Sequence, residues 1–186
     1  MKCIVLIAVS VLAISASALA QAPTDPIQKA LLAAPNEAAA KDATVIRWKA
    51  DQTYETLRKG TSRMVCYDLT GMPGERPFST ECTSSEANLP RVAQNRKLAA
   101  MAGGDQKKLQ ELVQAAAKDG SRVKPEVGSV WYNFRGANKA TATRHTTVAM
   151  PGFRGNQVGL PETQDSGGAW LMFAGTSEAH IMVPGR

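Results

Sequence analysis

The chain has 186 residues, 44% of them hydrophobic and 20% charged, with a net charge of +6 at pH 7. Its basic residues are scattered rather than clustered with aromatics, which argues against a nucleic-acid partner. The modest basic excess suits weak attraction to an anionic envelope component instead. Beyond the first twenty residues no stretch is long and apolar enough to span a membrane, which excludes a multi-span architecture.

The N-terminus carries the strongest signal. Met1-Lys2 gives a positive start, Cys3 to Ile14 is apolar except for Ser10, and Ser15 to Ala20 is rich in small residues. That is the three-part grammar of a secretory signal peptide, predicted over residues 1–22. Small residues fit a cut after Ala20 or after Ala22. As an uncleaved anchor, Cys3 to Ala20 is at the short end for a bilayer, contains serines, and is followed by no basic cluster. Cys3 precedes the apolar run, where it is misplaced for lipid attachment. Cleavage removes only Lys2 among the charges and leaves +5. The mature protein is expected in the periplasm or outside the cell, with no stable membrane span.

Residues 23–42 read as an N-terminal helical arm. Thr24 or Asp25 caps, Pro26 takes the first helical position, and Ala33-Ala34-Pro35 ends the helix. Asn36-Glu37 starts a second alanine-rich turn. The arm is weakly apolar and is expected to pack loosely. Residues 43–186 form the main domain. Thr44 to Lys49 reads as a strand with Ile46 and Trp48 on one face and Val45 and Arg47 on the other. Asp51-Gln52 turns into a second strand, Tyr54 to Arg58. Lys59-Gly60 turns again, and Ser62 to Tyr67 is expected to return in a hairpin on that second strand.

Cys66 and Cys82 remain after cleavage. In an oxidising compartment an isolated pair forms a disulfide. Bridging them closes a loop of about 15 residues and stabilises by about 3 kcal/mol in the chain-entropy model. Two cysteines without a neighbouring histidine fall short of a closed zinc site, and a C-x-x-C redox motif is absent. The intervening Gly71, Pro73, Gly74 and Pro77 predict a long irregular loop held by the staple.

Residues 85–118 are helical. Ser85 or Asn88 caps the first helix, Gly103-Gly104 interrupts, and Asp105 caps a second with Leu109, Leu112, Val113 and Ala116 at helical spacing. The C-terminal third returns to strands: Ser129 to Phe134, Thr143 to Met150, Trp170 to Phe173 and Ala179 to Val183. The last two form a hairpin, and Trp170 to Phe173, apolar on both faces, is expected to be buried. The long loop Gly152 to Gly168 carries Arg154, Asn156, Gln157, Glu162, Gln164 and Asp165, and with Trp131 and Trp170 suits recognition.

Chemistry-bearing residues are few. The chain holds two histidines, His145 and His180. On an extended strand His180 shares a face with Glu178, whose carboxylate can orient an imidazole. His145 shares its face with hydroxyls alone. If their strands pair, His180, Glu178 and His145 form an incomplete metal-ligand set. Ser166 lies in a Gly-rich loop without the G-x-S-x-G pattern. Nucleotide, zinc-protease and haem motifs are absent, so no cofactor and no metal are expected.

Leu57-Arg58-x-Gly60, the strand to Cys66, the Pro- and Gly-bearing loop to Cys82, and the closing Ala174-Gly175-Thr176-x-x-Ala179-His180-x-Met182-Val183-Pro184 together resemble a group of small secreted bacterial proteins of unknown function. The likeness covers residues 54–82 and 160–184. It implies secretion and a shared fold and supplies no catalytic residue.

The expected fold is α+β: an antiparallel sheet with the 85–118 helices packed on one face and one disulfide. The expected function is non-enzymatic binding of an envelope component or small ligand in a groove beside the Gly152–Gly168 loop. The alternative is a hydrolase or metal-assisted enzyme using His180 with Glu178 and His145.

Overall fold

The computed structural model describes residues 25–164 and 167–185. The expected leader and Asp165 and Ser166 lie outside these residues. In chain order the helices are α1 (Pro26–Leu31), α2 (Glu37–Asp42), α3 (Leu89–Ala102), α4 (Gln106–Lys118) and α5 (Gly155–Val158). The strands are β1 (Thr44–Trp48), β2 (Tyr54–Arg58), β3 (Val65–Asp68), β4 (Phe78–Thr83), β5 (Val130–Gly136), β6 (Thr143–Ala149), β7 (Trp170–Met172) and β8 (His180–Pro184). The strands form one eight-stranded sheet in the order β2-β1-β3-β4-β5-β6-β8-β7. Every pairing is antiparallel except β1 with β3.

The parallel pair corrects the expected hairpin between β2 and β3. After β2 the chain crosses the start of β1 instead of folding back. Arg58 Nη2 donates to the carbonyls of Ala40 at 2.5 Å and Ala43 at 2.7 Å. The amides of Thr61 and Ser62 both donate to the Asp42 carbonyl at 3.0 Å. Gly60 lies against this backbone so closely that a Cβ there would sit 2.2 Å from Asp42 O. The Leu57-Arg58-x-Gly60 segment is therefore a crossover device, and β3 is delivered to the far side of β1.

The disulfide Cys66–Cys82 is present, with Cα atoms 4.0 Å apart. It joins residues directly opposite each other on β3 and β4. The staple thus bridges two paired strands, not a long irregular loop. Phe78 to Thr83 is a buried strand that the flanking glycines and prolines concealed.

Alternation on these strands builds two cores. Val45, Cys66 and Cys82 face one side and pack with Ala30, Ala33 and Ala34. The arm is thus not loose. Asp25 caps α1 by accepting from the Ile27 amide at 2.8 Å, and Ala30 is 1% exposed. Ile46, Val65 and Tyr67 face the opposite side with Leu89 and Val92 of α3. Helices therefore cover both faces of the sheet, α1 on one and α3 on the other, which corrects the one-faced arrangement. Gly103 ends α3 in the left-handed region, Asp105 caps α4, and α4 lies against α3.

Of β7, only Leu171 is fully buried, and Phe173 just beyond it is 51% exposed. β7 is an edge strand paired to β8 alone, so one of its sides meets no further strand. Among the described residues, no helix is long and apolar enough to cross a membrane.

Candidate functional site

The face that carries α3 is only partly covered. Beyond α3, the strands β4 to β8 form the floor of a cleft of about 540 Å³. Its residues stand in rows set by the strand register. One row runs Tyr67, Glu81, Asn133, His145 across β3, β4, β5 and β6. The next runs Thr83, Trp131, Thr147, Met182. Ala149, His180 and Met172 form a third. Arg91 and Asn95 of α3 line the cleft from one side, and Phe173, Ser177 and Glu178 from the β7–β8 turn.

The floor is organised by a buried hydrogen-bond network. The Tyr67 hydroxyl donates to Glu81 Oε1 at 2.6 Å, and the Trp131 side chain stands near the same hydroxyl. Arg135 donates to Asn133 Oδ1 and stands 3.7 Å from Glu81 Oε2 and 3.8 Å from Glu75 Oε2. Burial, then the Glu81 charge, hold the Tyr67 phenol well above its usual range, so it stays a donor. Burial also raises the Glu81 carboxyl, although Arg135 and the Tyr67 hydroxyl oppose the rise.

Glu178 belongs to a separate clamp. Arg122 donates to it from Nε at 2.9 Å and from Nη2 at 3.0 Å, and Arg91 Nη2 donates to Oε2, the oxygen that Arg122 Nη2 also reaches. Burial works to raise this carboxyl, but the hydrogen bonds and charges of Arg122 and Arg91 outweigh it and hold the pKa below the usual value. Arg91 also donates to Val123 O, and Arg122 to Gln94 and Asn95. The clamp fastens the β7–β8 turn to the helical layer.

His145, His180 and Glu178 all line this one cleft. Strands β6 and β8 do pair, but the register sets His180 opposite Ala149, four residues from His145. His180 Nδ1 lies 2.7 Å from the Glu178 main-chain oxygen, while the Glu178 carboxylate serves the arginines. Burial depresses both imidazoles; for His145, with Arg135 and His180 adding to it, the value falls to about 4. Both are therefore neutral at pH 7. Among the described residues, no group of three or more His, Cys, Asp or Glu side chains could hold a metal ion.

Compared with protein-family models, curated proteins and solved structures, the chain matches none. The reading of this site therefore stands on its geometry.

The described residues of the Gly152–Gly168 loop do not line the cleft. It braces the turn that does: the Gly152 amide donates to Thr176 O, Gly175 to Phe153 O, and Leu171 to Pro161 O, at 2.7 to 2.8 Å. Nothing in the sequence alone singles out Tyr67, Glu81, Asn133, Arg135, Arg91 or Arg122. Pairing Cys66 with Cys82 as strand neighbours is the signal that places Tyr67 and Glu81 together on the opposite face. A second cavity, of about 530 Å³, lies by the β1–β2 turn and α3. Asp68 there is paired with Lys29 at 2.7 Å and Arg96 with Gln52 at 3.0 Å, the buried Trp48 Nε1 has no hydrogen-bond partner, and the cavity is lined by no histidine.

Proposed function

We propose that the protein is an extracytoplasmic binding protein that holds a small ligand in the cleft over β4 to β8, without chemical conversion. The observation that carries this reading is Trp131 beside Asn133, Arg135 and His145 on the cleft floor, where Tyr67 is bonded to Glu81. A concave site with aromatic and apolar walls and a few convergent, prepositioned polar groups is the usual form of a ligand pocket. Three of the titratable groups already have partners: Glu178 has two arginines, Glu81 has Tyr67, and His180 has a main-chain oxygen. The location is supported by the disulfide, which persists in oxidising compartments, and by the signal-like leader. An anionic envelope surface is a compatible setting for the basic chain.

The second reading, a hydrolase using His180 with Glu178 and His145, draws on their shared presence in the cleft. One experiment separates the two. The exported protein is incubated with the small-molecule fraction of an envelope extract, freed of unbound material, and its retained compounds are identified by mass spectrometry. The binding reading expects a compound retained unchanged by the native chain and lost from Trp131→Ala. Recovery of a converted product, abolished in His180→Ala, supports the enzyme instead. Retention that is indifferent to Trp131 removes the cleft as the site.

A further inference from the structure

The ligand class follows from what the cleft can and cannot satisfy; this step rests on the binding reading above. We propose that the cleft takes an uncharged sugar, one ring face laid on the Trp131 indole and its hydroxyls bonded by Asn133, Arg135 and His145.

The first argument is charge. The charges at the cleft balance only as a set, three arginines against three glutamates: Arg91 and Arg122 share Glu178, and Arg135 stands between Glu75 and Glu81. The two imidazoles are neutral at pH 7. A charged ligand entering here would lose its hydration and gain no free counter-charge, which is costly. An uncharged one meets no such penalty.

The second argument is the kind of polar group on offer. Asn133 and His145 are planar and each offers a donor and an acceptor, Arg135 offers donors alone, and Thr147, Ser177 and His180 add more around the same floor. A nucleobase or other flat heterocycle presents one polar edge and could use only part of this set. A polyhydroxylated ring presents hydroxyls around its whole rim and can use most of it.

The third argument is apolar. Trp131 is flanked by strand neighbours on both sides, Thr83 of β4 and Thr147 of β6, which hold its backbone in place before any ligand arrives. Phe173, which also lines the cleft, is 51% exposed, lies edge-on to His180 at 5.8 Å, and has φ +57. An aromatic residue in the left-handed region is an outlier that the fold must hold in place. It presents a ring at the cleft's open side, where it can cover the C–H face of a sugar.

The test uses the exported chain, with the Trp131 indole and Asn133 side-chain amide followed by NMR. The probes are maltose, cellobiose and chitobiose at millimolar concentration, with sodium acetate and phosphate as charged comparators. The proposal expects at least one disaccharide to shift both signals saturably. Phe173→Ala, an exposed change that leaves the core intact, should weaken that binding by about tenfold, while Trp131→Phe should weaken it less than Trp131→Ala. Shifts caused by acetate or phosphate but by no sugar would overturn the sugar assignment and leave the binding reading standing. Silence to every probe overturns the assignment as well, and the extract experiment then decides the binding reading on its own.

Discussion

Arg122 donates to both carboxylate oxygens of Glu178, from Nε to Oε1 at 2.9 Å and from Nη2 to Oε2 at 3.0 Å. The arginine follows α4, and the glutamate stands in the β7–β8 turn, so the pair joins the helical layer to the far edge of the sheet. The Arg91 and Arg122 side chains are 8% and 3% exposed. Glu178→Gln would leave two buried cations facing one neutral amide. Breaking a buried pair from one side costs about 3 kcal/mol. A urea unfolding midpoint at pH 7 reads this directly. A loss under about 1 kcal/mol, the scale of an exposed pair, would show that the clamp is not structural.

The acid side of the stability profile should fall in two stages. His145 has its folded pKa near 4 and His180 is also lowered, whereas an exposed imidazole titrates near about 6.5. The unfolded chain therefore takes up these protons first. Their contribution to stability is complete above about 6.5 and is lost as pH falls towards 4. Glu178, whose folded pKa is also lowered, contributes fully above the unfolded carboxylate value of about 4.3 and loses that contribution as pH falls through its folded value. Unfolding midpoints across pH 3 to 8 should show both stages. His145→Gln should flatten the upper one, and Glu178→Gln the lower. A profile that is level between pH 7 and 5 would contradict the burial of the imidazoles.

What the sequence discloses and what it hides divide along one physical line. Strands β1, β2, β5, β6 and β8 are legible because β-branched and aromatic residues alternate there, and the caps Asp25 and Asp105 are legible because capping is local chemistry. Pairing is not legible. The crossover at Gly60 depends on a backbone approach between residues eighteen apart in sequence (Gly60 and Asp42), which composition does not record. β4 is hidden by the glycines and prolines before it, and with β4 goes the row from Tyr67 to His145. His180 and His145 draw notice as rare residue types. The groups that organise the cleft, Glu81, Asn133 and Arg135, are common types whose role exists only once β4 and β5 lie side by side.

The disulfide gives a prediction that the strand register sharpens. Cys66 and Cys82 are opposed on neighbouring strands within a core that also contains Val45 and Ala30. Replacing both cysteines with alanine should cost about 3 kcal/mol from the loss of the closed loop of about 15 residues. Because the strands stay paired by their own hydrogen bonds, the folded topology should survive. Denaturant unfolding with and without reductant measures the cost, and amide exchange on β3 and β4 tests whether the pairing persists. Complete collapse of exchange protection in the reduced protein would mean that the bond defines the hairpin and does not merely stabilise it.

Gly60 and Gly71 separate two reasons for glycine. At Gly60 a Cβ would meet Asp42 O at 2.2 Å, Ala43 C at 2.4 Å and Thr44 N at 2.5 Å. All three are backbone atoms at the start of β1, and the Gly60 amide donates to Thr44 Oγ1 at 3.0 Å. Nothing there can swing aside. Gly60→Ala must push the crossover off β1 and weaken the Arg58 bonds to Ala40 and Ala43, at a cost of about 3 kcal/mol. Gly71 has φ +82, and a Cβ added there would meet nothing within 4 Å. Gly71→Ala should therefore cost only the strain of a left-handed residue, about 1 kcal/mol. Thermal or urea unfolding of the two variants ranks them. Equal costs would show that the chain can leave β1 without penalty, and that β3 does not need this close crossing to reach its place beside β1.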